Sequence, residues 1–152
     1  MNAALLAVLA GLCWGVGEVF TRSVLHAKAV GPLAAIAIRS TVALPLLWAV
    51  WAVGSHGLGL EPPGLLDRAD GGSVAKLVLG SGVVAGAGGM ALFYAALSLG
   101  EVSRVKPIAF SVAPATAVVL GAIFLGEALS LPKVLGLVLI LGGVLLLTAA
   151  GR

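Results

Sequence analysis

The stretch WGVGEVFTR, Trp14 to Arg22, places an indole, a carboxylate and a guanidinium inside an otherwise apolar segment. Trp14, Glu18 and Arg22 recur at i, i+4 and i+8, which on a helix puts them along one face. The bland chemistry of that spacing is an ion pair along the helix, with the glutamate N-terminal in the favourable order. The sharper chemistry is exchange: a carboxylate held in an apolar cavity can trade a proton for a cationic solute. An indole one turn away can present its face to an amine. Arg39 and Tyr94, the only tyrosine, sit in two further apolar stretches. Glu18 lies about 7 residues before its apolar run ends and Arg39 about 7 residues into the next, roughly 10 Å in each case. The two can therefore meet at one depth. Pairing of Glu18 with Arg22, pairing with Arg39, and a place on a substrate or ion path all remain open, because an ionisable group at that depth needs a partner or a wet cavity. Tyr94 must satisfy its hydroxyl, by an interhelical hydrogen bond or towards a cavity.

The elements that position these residues are membrane helices. The chain has 152 residues, of which 61% are hydrophobic and 10% charged, with a mean hydropathy of +1.18. A soluble domain is roughly 45–50% apolar and 25% charged, so too few polar side chains exist here to cover a surface in water. The expectation is an all-α integral membrane protein, a bundle of five transmembrane helices. A span needs about 20 mostly apolar residues, and five runs qualify: Ala3–Leu25, Pro32–Val53, Val74–Leu99, Val105–Leu125 and Pro132–Ala149. The first run lacks a basic n-region and outlasts a signal-peptide core, so it reads as a span. Gly31-Pro32, Gly100 and Ser130 punctuate the boundaries. Gly54 to Ser73 reads as the one long loop, and the short connections elsewhere make one membrane domain over residues 1–152.

Gly11-x3-Gly15 and Gly82-x3-Gly86 read as close helix contacts. Pro45 and Pro114 fall inside spans, where each removes a backbone hydrogen bond; such breaks can line a transporter cavity or merely kink a helix. Cys13 reads as a small packing residue, Trp48 and Trp51 as an interfacial belt. Lys106-Pro107 reads as the opening of the fourth span, with the lysine snorkelling to the interface. Glu127, between the fourth and fifth spans, reads as a structural fastening near the positive end of the fifth helix.

Alternating the loops puts Arg68, Lys76 and Lys133 on one face and Arg22, Lys28, Arg104, Lys106 and Arg152 on the other. That weak bias barely sets an orientation. It suits an odd-span unit that pairs with an inverted copy of itself, since inverted repeats are two such units facing opposite ways. The charges do not cluster, so the net charge of +3 implies no nucleic-acid partner. Nothing in the sequence has the spacing of a metal site, a phosphate loop or a nucleophile elbow. The expectation is no enzyme, no cofactor and no metal, with His26 and His56 as helix-end or loop residues.

From Gly89 onward the sequence reads GMALFYAALSLGEVSRVKPIAFSVAPATAVVLGAIFLGEALSLPKVLGLVLILGGVLLL. YAAL at Tyr94–Leu97, the small-residue turn at Ser103, Pro114, LGE at Leu125–Glu127 and the glycine-rich last helix resemble the EamA-like unit of the drug/metabolite transporter superfamily. Trp14-Gly15 and Arg39 fit the N-terminal part, so the resemblance covers nearly the whole chain. It implies a multi-pass cell-membrane carrier for small organic solutes or metabolites, built of ten helices as two inverted five-helix halves. This chain is one half. The resemblance thus implies an antiparallel homodimer with alternating access, or one half of a heterodimer with a paralogue; a non-transporting membrane subunit is the other reading. A first-helix glutamate used for coupling is similar to the small multidrug resistance branch of the superfamily.

Overall fold

A computed structural model of the chain describes residues 2–62, 64 and 68–149. Among them are five helices long and apolar enough to cross a membrane: Ala3–His26, Pro32–Gly57, Gly71–Leu99, Val102–Phe124 and Leu131–Ala149. Many of their large apolar side chains are open to the surroundings, Leu92, Leu99 and Leu139 among them. A soluble protein rarely presents so much contiguous apolar surface; for a span, hydrocarbon is the matching solvent. The protein is an all-α multi-pass membrane protein. Its chain divides into two compact units, Met1–Ser98 and Leu99–Arg152.

In the first unit, α1 (Ala3–His26) starts where the Asn2 side chain accepts from the Ala4 N–H at 3.1 Å, satisfying one of the orphan donors of a helix start. It stops in a left-handed residue, Lys28 with φ 52°, around which Lys28 N–H bonds Leu25 O and Ala29 N–H bonds Val24 O. That is the Schellman pattern, with a lysine where glycine is usual. Pro32 at the first turn opens α2 (Pro32–Ala52), which winds on as a π-helix over Val53–Gly57. Gly54, Ser55 and His56, expected in the loop, therefore belong to the helix.

The third span starts at Gly71, three residues earlier than expected, because Asp70 caps it. Its carboxylate accepts from the Ser73 N–H at 3.0 Å and from the Ser73 hydroxyl at 2.6 Å. These bonds hold the Asp70 carboxyl below the usual carboxylate range. After α3 (Gly71–Ala75) the span is π-helical over Lys76–Gly89 and returns to α-helix in α4 (Met90–Leu99). Glycine permits the wide winding: a Cβ on Gly86 would lie 3.1 Å from the Ser81 carbonyl oxygen, five residues back. Within the chain, what crowds a Cβ on Gly82 or Gly86 is their own span's backbone, and nothing described lies within 4 Å of a Cβ on Gly11.

In the second unit, α5 (Val102–Phe124) begins three residues before the expected start, with Glu101 at the cap position. Lys106-Pro107 therefore sits inside the helix rather than opening it, and α5 runs on through both Pro107 and Pro114. Next comes α6 (Leu131–Ala149), whose first turn closes with Val134 N–H on Ser130 O at 3.1 Å. Arg104 donates to the Thr148 carbonyl at 3.2 Å, joining the start of α5 to the end of α6. At the other end of the hairpin, Lys133 reaches both Glu127 (3.7 Å) and the Ala128 carbonyl (3.1 Å).

Candidate functional site

The site is built on α1, α2 and α4 of the first unit. The buried side chains there are Glu18, Leu25, Tyr94 and Leu97, and two of the four carry polar groups. Hydrocarbon tolerates a buried acid or phenol only where something answers it, which makes this region the candidate site.

A cavity of about 570 Å³ opens beside them, lined along α1 by Cys13, Trp14, Gly17, Glu18, Phe20, Thr21 and Val24, and otherwise by Val30, Ala35, Ile38, Arg39 and Tyr94. Of the residues singled out from sequence, the structure brings together Trp14, Glu18, Arg39 and Tyr94. Pro114 belongs to the second unit. Arg22 is half-buried and does not line the cavity. The reason is helical drift: each four-residue step overshoots a full turn by about 40°, so two steps carry Arg22 about 80° from Trp14, whereas seven residues return to within about 20°. The third position of the stripe is consequently Thr21.

No ion pair within 4.0 Å joins Glu18 to Arg22 or Arg39 among the described residues. Arg39 turns instead to Tyr94. Its guanidinium donates to the Tyr94 hydroxyl at 3.1 Å, and its central carbon lies 5.9 Å from the ring centroid, at the outer reach of a cation–π contact. Tyr94, only 1% exposed, also has its hydroxyl 3.5 Å from that of Thr21. Thr21 donates to the Gly17 carbonyl at 3.0 Å. One phenol thereby ties α1, α2 and α4 together.

Two smaller expectations change. Cys13 is exposed and lines the cavity rather than filling a packed interior. His56 has neighbours: its ring meets Trp51 edge-on at 5.3 Å, and Trp51 meets Trp48 in the same way at 5.5 Å. Lys106 is half-buried with its ammonium 5.2 Å from the Phe110 ring centroid. Arg152 lies outside the described residues.

Thr21 is the cavity-lining polar residue that the sequence does not announce. A threonine in a membrane helix commonly bonds its own backbone, and its second contact comes from a tyrosine 73 positions away. The one available signal was its place seven residues after Trp14.

Chemically, the lining joins one carboxylate, one guanidinium, two hydroxyls, a thiol and aromatic faces in a largely apolar wall. Such a set can hold a small organic molecule by charge, hydrogen bonds and aromatic contact. A concave apolar site with a few convergent polar groups is the usual form of such a pocket.

Comparison with known proteins agrees with this architecture. The model of the EamA-like transporter family matches residues 1–149. An uncharacterized protein of Methanocaldococcus jannaschii is 45% identical over 60 residues, 40% of this chain and 43% of that relative. The match therefore spans less than half of the relative's length. No solved structure matches. With five membrane-crossing helices and a family match over essentially its whole length, the chain belongs to the EamA-like transporter family.

Proposed function

We propose that this chain is half of a carrier for small organic solutes or metabolites in the cell membrane, and that two copies in opposite orientation complete it as an antiparallel homodimer. The five helices act as one membrane domain in this reading, and access alternates as the two copies rock around a shared solute path. Pro114 serves there as a residue of the path wall: α5 continues through it, but its ring nitrogen leaves one backbone carbonyl of the helix without its donor. The cavity carries the reading: about 570 Å³ bounded by Glu18, Arg39 and Tyr94, inside helices that hydrocarbon surrounds. The weak charge bias between the two faces supports the inverted pair, because neither orientation is strongly preferred.

Glu18 is the proposed coupling group, exchanging a proton for the solute as the cavity changes sides. Trp14, one turn away on the same wall, supplies the aromatic face for a cationic or amine-bearing solute. Proteoliposomes holding the purified chain should accumulate an organic amine against an imposed proton gradient. Glu18→Gln should abolish the pH dependence of uptake and lower its rate about 100-fold, within the range of a lost proton-transfer group. Unchanged uptake and pH dependence in Glu18→Gln would remove the coupling role. A C-terminal tag found on one side only of intact cells would favour a heterodimer with a paralogous half. Absence of transport by the chain, alone or with such a partner, would favour a non-transporting subunit.

A further inference from the structure

The polar wall of the cavity has a direction. Arg39 offers N–H groups and no acceptor, so in its 3.1 Å contact with Tyr94 the guanidinium donates and the phenol oxygen accepts. At the other end, the Gly17 carbonyl has no hydrogen to give, so the Thr21 hydroxyl donates to it at 3.0 Å. The single hydroxyl proton of Thr21 is thereby committed. In the 3.5 Å contact between the two hydroxyls, Tyr94 is then the donor and Thr21 the acceptor. The run passes from Arg39 on α2 through Tyr94 on α4 to Thr21 and back along α1 to Gly17, and the Thr21 hydroxyl keeps only a lone pair for a guest.

We infer that Thr21 and Tyr94 set the specificity of the site: the half-buried Thr21 hydroxyl, its own proton committed to Gly17 and the buried Tyr94 hydroxyl donating to it from behind, presents only lone pairs and selects solutes carrying hydrogen-bond donors, primary ammonium groups above all. The inference rests on the reading of the cavity as a solute site. An ionised Glu18 on the same face of α1 likewise only accepts. A guest that presents only acceptors there meets lone pairs with no proton between them, which costs more than the missing bond alone. It is left with Arg39. The size of the cavity and the rings of Trp14 and Phe20 on its wall suit an aryl-alkyl amine.

The test is equilibrium binding of phenethylammonium and of phenylacetate, measured on the full chain in nanodiscs at one pH. The wild type should prefer the ammonium by about tenfold, in line with a donor matched to an acceptor set against an acceptor left unmatched. Thr21→Val removes the acceptor that faces the guest, so the preference should fall severalfold, while Thr21→Ser should restore it. Neither substitution changes the charge of the cavity, so the ratio reports hydrogen-bond direction. Should Thr21→Val fail to fold, Tyr94→Phe frees the Arg39 N–H towards the cavity and should shift the ratio the same way. A wild type that favours phenylacetate, or a ratio that a folded Thr21→Val leaves unchanged, would overturn the inference while leaving the cavity as a solute site. Binding of neither probe by the folded wild type would overturn the solute-site reading, and the specificity with it.

Discussion

The two units of the chain place their polar groups differently. In Met1–Ser98 an acid and a phenol are buried along the length of the spans, against a cavity. In Leu99–Arg152 the polar group buried within a span, among the described residues, is the small hydroxyl of Ser111 in α5, and the charged contacts lie at the ends of the helices: Arg104 on the Thr148 carbonyl at one end, Lys133 on Glu127 and Ala128 at the other. Hydrocarbon explains the contrast. A polar group at a helix end can reach the interface and is tolerated there, whereas one at mid-depth persists only with a partner or a guest. The first unit thus buries an ionisable acid and a phenol beside its cavity, whereas the second keeps its charged fastenings at the ends of its hairpin.

That contrast can be broken in several places. The largest expected effect is the loss of proton-linked uptake in Glu18→Gln; an equal loss from Lys133→Gln would erase the distinction between site and fastening. Next comes Gly121, in α5. A Cβ there would lie 3.3 Å from the Glu127 carboxyl carbon, and the Glu127 N–H bonds the Gly121 carbonyl at 3.1 Å. Gly121→Val should push the fastening apart and cost about 1–3 kcal/mol, read as a lower melting temperature in detergent, with cavity binding of the folded fraction unchanged.

How far the architecture was legible depends on what decides each feature. The five spans stand out because a run of about 20 apolar residues has few alternatives. Their ends shifted by a few residues where a cap decides, as Asp70 does through Ser73. The π-winding of Lys76–Gly89 has no pattern of its own in the sequence. It becomes visible only once the carbonyl five residues back is seen against the Cβ position of Gly86. In the site, Glu18, Trp14, Arg39 and Tyr94 stood out as polar or aromatic exceptions in apolar runs. Thr21 did not, since its role comes from a residue on another helix, and Arg22 was placed on the cavity face by a spacing that drifts over two turns.

Smaller effects sharpen the account of the first unit. Lys28 ends α1 in the left-handed region, where a non-glycine side chain is strained. Lys28→Gly should therefore stabilise the protein by about 0.5–1 kcal/mol, seen as a higher melting temperature without a change in solute binding. Smallest is the Asp70 cap. The Ser73 bonds hold its carboxyl below the ordinary aspartate range, so its contribution is present above about pH 4 and fades as the pH falls through the lowered value. Asp70→Ala should flatten that acid-side decline in a melting-temperature profile taken down to about pH 3.

The central claim is that the cavity beside Glu18 opens to water on both sides of the membrane. Cys13 is the only cysteine of the chain and lines that cavity, so it reports directly. In sealed proteoliposomes a membrane-impermeant thiol reagent should label nearly all of the Cys13 when added outside alone or loaded inside alone, rather than the half that opposite orientations of a one-sided cavity would expose, and phenethylammonium should slow the labelling from either side. Labelling from neither side in protein shown to be folded would mean that the cavity stays closed to water, and would contradict the account.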